Sequence, residues 1–121
     1  MKNFIIFILM VLNFNALADL EASDSYIDFW EVEIGESEFM EFELTNNFEY
    51  PVIITDVDLN ADFSAFDLNE SCLGILESGD SCYVEVIFSP HEIDDFWGTV
   101  EIESNAQERI YVELQGEGVR W

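Results

Sequence analysis

Apolar and polar residues alternate along most of this chain. Ile27 and Phe29, then Val32 and Ile34, alternate with Asp28 and with Glu31 and Glu33, until Gly35-Glu36-Ser37 breaks the run. Met40, Phe42 and Leu44 alternate with Glu41, Glu43 and Thr45, and Asn46-Asn47 closes that segment. Val52-Ile53-Ile54-Thr55 follows Pro51 and continues through Val57 and Leu59. Further on, Val84/Val86/Phe88, Val100/Ile102 and Ile110/Val112/Leu114 repeat the pattern, ending at Ser89-Pro90, Ser104-Asn105-Ala106 and Gly116. Strict alternation over short runs bounded by Gly, Pro and Asn is the mark of half-buried β-strands. With a weaker run near Phe63–Leu68, the pattern predicts seven strands and no helix. Seven short antiparallel strands in about 100 residues predict an all-β sandwich of two sheets.

The start of the chain is different. Lys2 precedes an unbroken apolar run from Phe4 to Leu12, and Ala16-Leu17-Ala18 supplies a small-x-small cleavage site. These are the parts of a secretory signal peptide, and the apolar run is far short of the roughly 20 residues that a membrane span needs. Residues 1–18 are therefore expected to be a signal peptide and residues 19–121 a single domain that is periplasmic or extracellular. No Cys follows the leader to take a lipid, and no second hydrophobic stretch offers a membrane span.

Export bears on the two cysteines. Cys72 and Cys82 both lie in the mature region and bracket LGILESGDS, whose Glu77-Ser78-Gly79-Asp80 centre reads as a reverse turn. In an oxidising compartment such a pair is expected to form a disulfide. Closing so short a loop contributes about 2.5–3 kcal/mol in the chain-entropy account. A metal site is the weaker reading, since two Cys and one distant His make a poor ligand set.

Charge narrows the partners. Asp and Glu number 27 against 3 Lys and Arg, a formal net charge of −24, and loss of Lys2 with the leader makes it one unit more negative. Such a surface repels nucleic acid and anionic headgroups, because binding phosphate needs Lys and Arg. The charge does not imply disorder, since half the chain is hydrophobic and 15% aromatic.

The order of motifs carries a likeness. Cys72-x-Gly74-x-Leu76-x-x-Gly79-x-x-Cys82 followed by Val84-x-Val86-x-Phe88-x-Pro90, with Phe29, Gly35, Leu44-Thr45-Asn46, Pro51, Asp62-Phe63, Gly98, Ser104-Asn105-Ala106 and a closing Leu114-Gln115-Gly116-Glu117-Gly118, resembles the bacterial choice-of-anchor D domains. These belong to the wider abnormal-spindle/Hydin (ASH, Hydin/VesB-like) group, and the likeness covers about residues 25–118. The resemblance implies an immunoglobulin-like seven-stranded antiparallel β-sandwich, related to the major-sperm-protein group, that acts as a non-enzymatic binding or spacing module. Eukaryotic members are frequent in cilia and centrosomes, and bacterial ones occur in exported and surface proteins.

Candidate chemistry is sparse. Asp56, Asp58, Asn60, Asp62, Ser64 and Asp67 fall at positions 1, 3, 5, 7, 9 and 12 of a twelve-residue calcium loop. Ala61 replaces the turn glycine, however, and position 12 has the short arm of Asp. Val57 and Leu59 alternate with the acids, so a solvated strand is the preferred reading and no metal or cofactor is expected. His91, the only histidine, follows Ser89-Pro90 without a nucleophile motif, and Asp94-Asp95 are adjacent and point apart. No enzyme is expected. Trp30 and Trp97 are expected to pack in the core or on a sheet face, while Trp121 either folds back on the sandwich or stands free as an anchor. The sequence thus predicts an exported binding or structural module whose partner is a protein or an envelope surface. The alternative is a calcium-dependent adhesive or structural envelope module using Asp56–Asp67.

Overall fold

The computed structural model describes residues 19–61 and 65–121; the expected signal peptide lies outside them, as do Asp62, Phe63 and Ser64. Among the described residues the chain forms nine strands: β1 (Leu20–Ala22), β2 (Tyr26–Glu33), β3 (Glu38–Asn46), β4 (Val52–Ala61), β5 (Phe66–Glu70), β6 (Gly74–Leu76), β7 (Ser81–Phe88), β8 (Asp94–Ser104) and β9 (Ile110–Val119). They make two sheets, ordered β1-β3-β7-β5 and β2-β9-β8-β4-β6. The all-β sandwich is as the alternation predicts.

Two expectations are corrected. The strands number nine because β1 and β6 have three residues each, too few to display a period. The sheets are not wholly antiparallel, since β2 pairs parallel with β9, with Tyr26 opposite Glu113 and Val32 opposite Gly118. Alternation reports which face a residue takes and is blind to strand direction. The weak run near Phe63–Leu68 is β5, paired with β7.

The inward positions of both sheets fuse into one core centred on Phe88. Its ring lies 5.0 Å from that of Phe66, 5.5 Å from Phe29 and 5.8 Å from Phe96. Leu44, Val52, Val84, Val86, Val100 and Val112 fill the space around this cluster and are fully buried. The closing glycines exist because of these residues. A Cβ on Gly116 would stand 2.5 Å from the Phe88 ring, and one on Gly118 would meet the Glu92 carbonyl oxygen at 2.2 Å and Pro90 Cβ at 2.9 Å. Phe88-x-Pro90 and Gly116-x-Gly118, 28 residues apart in sequence, are therefore two halves of one contact that locks β7 of one sheet over β9 of the other.

Candidate functional site

The polar residues at the β3–β6 end are spent on structure. Asn46 is buried; its Nδ2 donates to the carbonyls of Tyr50 and Leu76, both at 2.9 Å, and its Oδ1 accepts from the Phe48 amide. Its backbone N–H donates to Asp80 O and its carbonyl accepts from Gly79 N–H, tying β3 to the turn at 77–80. Gly79, at φ +82°, supplies the left-handed backbone that this turn requires.

The Cys72–Cys82 disulfide is formed, with its Cα atoms 5.1 Å apart. The reason differs from the reverse turn read in the sequence. The segment before that turn is β6, which pairs with β4 in the other sheet, so the turn does not lay its two arms side by side. The β5–β7 ladder brings the cysteines together instead. Its last pair is Glu70 opposite Val84, and the same register continues through Ser71, whose N–H donates to Tyr83 O, to Cys72 opposite Cys82. The disulfide closes a loop that leaves one sheet, adds an edge strand to the other and returns.

The calcium-spaced residues are divided. Asp56, Asp58 and Asn60 stand exposed on β4, opposite Glu103, Glu101 and Thr99 of β8. Asp67 is on β5 in the other sheet, opposite Ile87 of β7. Asp62 and Ser64 lie outside the described residues. Among the described residues no three His, Cys, Asp or Glu are grouped to hold a metal ion. The β8 carboxylates instead share Arg109, at 3.3 Å from Glu101 and 3.0 Å from Glu103. That guanidinium, with a hydrogen bond from Thr55, holds the Glu103 carboxyl below its usual range. His91 is an exposed loop residue against the Phe96 ring, and Asp94 and Asp95 open β8 in water.

Of the two tryptophans expected in the core or on a sheet face, Trp97 takes a sheet face and Trp30 departs from expectation. Neither Trp30 nor Trp97 enters the core, and Trp97 is 59% exposed on the outer face of β8. Trp30 is 71% exposed and sits at φ +58°, where among the described residues no other residue except glycine has positive φ. For an L-residue that conformation costs roughly 1–2 kcal/mol. The cause is a β-bulge. Asp28 is opposite Gln115 and Glu31 is opposite Glu117, so β2 carries one extra residue against β9. Phe29 turns into the core and Trp30 is thrown outward, its N–H held by Asp28 Oδ1 at 2.8 Å. The sequence held the signal, since the apolar phase changes from odd positions at Ile27 and Phe29 to even ones at Val32 and Ile34; a bulge is what such a slip requires.

The edge beyond this bulge combines aromatic side chains with carboxylates. On one side of Trp30 a cavity of about 440 Å³ is walled by Tyr26, Met40, Asp24, Asp28 and Glu41. On the other a cavity of about 220 Å³ is lined by Glu31, Asp95, Gln115 and Glu117. Farther along β2, Glu31 and Glu33 border a third, of about 230 Å³, which includes Trp121 at 78% exposure. The Tyr26 hydroxyl reaches Gln115 Oε1 at 2.5 Å and Asp28 Oδ2 at 3.3 Å. Partial desolvation and then the Asp28 charge push this phenol above its usual range.

A family model described as the HYDIN/CFA65/VesB-like, Ig-like domain matches residues 18–117. The chain belongs to that family. No match was found among curated protein sequences. Solved structures agree on the fold. The ASH/PapD-like domain 7 of human CEP192 superposes with a TM-score of 0.69 at 19% identity, over 86% of this chain and 87% of that one. The secreted serine protease VesC from Vibrio cholerae matches with a TM-score of 0.65 at 20% identity, over 88% of this chain but 24% of VesC. A Porphyromonas gingivalis protein of unknown function matches with a TM-score of 0.69 at 17% identity, over 87% of this chain and 51% of that one. The HYDIN/VesB-like chain thus spans about a quarter of the length of VesC. These motif residues have structural roles here: Phe88, Pro90, Gly116 and Gly118 make the inter-sheet contact, and Asn46 with the disulfide holds the β3–β6 end.

Proposed function

We propose that this protein is an exported, non-enzymatic immunoglobulin-like module that works by binding another protein or an envelope surface. One observation carries the reading: large aromatic side chains stand largely in water along one strand edge, outside the core. Tyr26, Trp30 and Trp121 are all more than half exposed. Exposed Trp and Tyr in a cluster mark interaction sites. Phe88, Pro90, Gly116, Gly118, Asn46 and the two cysteines, in contrast, are engaged in packing, backbone hydrogen bonds or the disulfide.

The disulfide and the leader-like start of the chain support export, and no helix among the described residues is long and apolar enough to cross a membrane. Strand addition at an open edge is one physical route to a partner. The bulge at Trp30 obstructs it along β2, because a kinked edge does not template regular pairing. Capture of a partner's side chains is the route that β2 offers. Two measurements test the proposal. N-terminal sequencing of the exported chain should begin at Asp19, and intact Met1 in a membrane fraction would overturn export. Cross-linking in the envelope fraction should give one discrete protein adduct; a chain that remains uncross-linked at native abundance would overturn the binding role.

A further inference from the structure

We propose that the β2 edge on either side of Trp30 is a docking strip for an extended, arginine-bearing segment of a partner protein. The inference rests on the module reading above and names the partner's chemistry. Three features of the strip select that chemistry together. First, it is apolar and aromatic where it touches: Tyr26, Met40 and Trp30 wall the larger cavity, and the bulge holds the Trp30 indole away from the core with both flanks open to a cavity. Second, the described residues lining the three cavities along β2 include no Lys, Arg or His, while Asp28, Glu31, Glu41 and Glu117 surround the indole. Third, neither arginine among the described residues lines these cavities: Arg120 follows Val119, opposite Glu33, at the Trp121 end, and the paired cation is remote. Arg109 is engaged by Glu101 and Glu103, and Glu101 lies six positions along β8 from Asp95, about 20 Å at the rise of a strand.

An indole face beside carboxylates suits a guanidinium better than any other common group. The planar cation stacks on the ring while its fork of N–H donors reaches the carboxylate oxygens, whereas an ammonium is a compact, strongly hydrated point charge. Other occupants fit less well. A second copy would bring a like net charge of −24 against this edge, and anionic headgroups or nucleic acid would be repelled for the same reason. Aromatic sites spaced along one strand, with carboxylates between them, match a segment that is itself extended.

The test is calorimetric titration of the purified full-length exported chain with a nine-residue synthetic peptide alternating Arg and Thr. The comparison peptides carry Lys or Gln in place of Arg. The expected order is Arg tighter than Lys, with no measurable binding for Gln. Trp30→Gly is the informative variant, because glycine adopts φ +58° freely and the variant should melt no lower than the parent. It is expected to weaken the Arg peptide at least tenfold, whereas Tyr111→Ala, an exposed aromatic beside Glu101, should change it less than twofold. Equal binding by Trp30→Gly, or equal binding of the Arg and Gln peptides, would overturn the proposal, as would no binding of the Arg peptide to the parent. The module reading fails separately, by the absence of any envelope adduct. An adduct that persists undiminished in Trp30→Gly would leave that reading standing and remove this site.

Discussion

The β3–β6 end of the sandwich, around Asn46 and the disulfide, differs from the β2 edge in what becomes of its costly residues. At the first, a buried amide has three backbone partners, and a left-handed position is filled by Gly79. At the second, a left-handed position is filled by tryptophan, and its indole is left in water. Both ends answer the same physical demands, that buried polar groups be paired and that positive φ go to glycine. The Asn46 end obeys them and gains stability. The Trp30 edge breaks the second rule while leaving most of the indole in water, and a strained residue outside the core points toward interaction.

The contrast is broken most severely at the centre. Phe88→Ala removes the ring that Phe29, Phe66, Phe96 and the open space over Gly116 are arranged to receive. A loss of about 3–5 kcal/mol is expected, a large part of the 5–15 kcal/mol typical of a domain. Denaturant unfolding should read it directly. A value under 1 kcal/mol would mean that the two motif halves do not form the inter-sheet lock.

At the Asn46 end, Cys72→Ser should destabilise by about 2–4 kcal/mol, and the exported wild-type chain should resist alkylation and lack two hydrogens by mass. Because β5 and β7 pair without the disulfide, far-UV dichroism of the variant should remain β-like. Two freely alkylated thiols in the native protein would remove the covalent staple from that end. At the β2 edge the sign reverses. Trp30→Gly relieves roughly 1–2 kcal/mol of left-handed strain against roughly 0.4–1 kcal/mol of added unfolded-chain freedom. The net gain is expected to be about 0.5–1 kcal/mol, a few degrees in melting temperature for a domain of this size. A lower melting temperature would show that Trp30 stabilises the fold and that the contrast between the two ends is false.

Much of the fold was legible because alternation reports burial directly. Seven of the nine strands show it, whereas the contact of Phe88-x-Pro90 with the closing glycines emerges only in three dimensions. What escaped did so for identifiable reasons. Three-residue strands such as β1 and β6 contain too few positions to show a period, and the parallel β2–β9 pairing leaves the alternation unchanged. The disulfide was expected, but from a turn whose arms belong to different sheets. The exposed edge was the hardest part to foresee. Trp30 lies in a strand with buried neighbours, so packing was the natural expectation, and only the change of apolar phase between Phe29 and Val32 disclosed that one residue had been inserted.

The smallest expected effects concern charge, and they separate the β2 edge, whose cavities no cation lines, from the β4–β8 face, where Arg109 bridges two carboxylates. With a net charge of −24, folding crowds like charges together. Salt should relieve this, because the screening length falls from about 30 Å at 0.01 M to about 8 Å at 0.15 M. The melting temperature is therefore expected to rise with NaCl. MgCl₂ and CaCl₂ at matched ionic strength should act alike, since Asp56 and Asp58 face Glu103 and Glu101 on one sheet while Asp67 belongs to the other. Asp58→Asn removes one charge from the crowded face, so it should melt slightly higher than the parent in low salt and converge on it in high salt. Arg109→Gln should do the reverse, enlarging the response to salt by leaving Glu101 and Glu103 unbridged. A rise produced by Ca²⁺ alone and abolished by Asp58→Asn would instead establish a ligand bound only to the folded state, and Asp56–Asp67 would then be a calcium loop. A melting temperature indifferent to every salt would defeat the screening account, and with it the claim that the two faces differ in unrelieved charge.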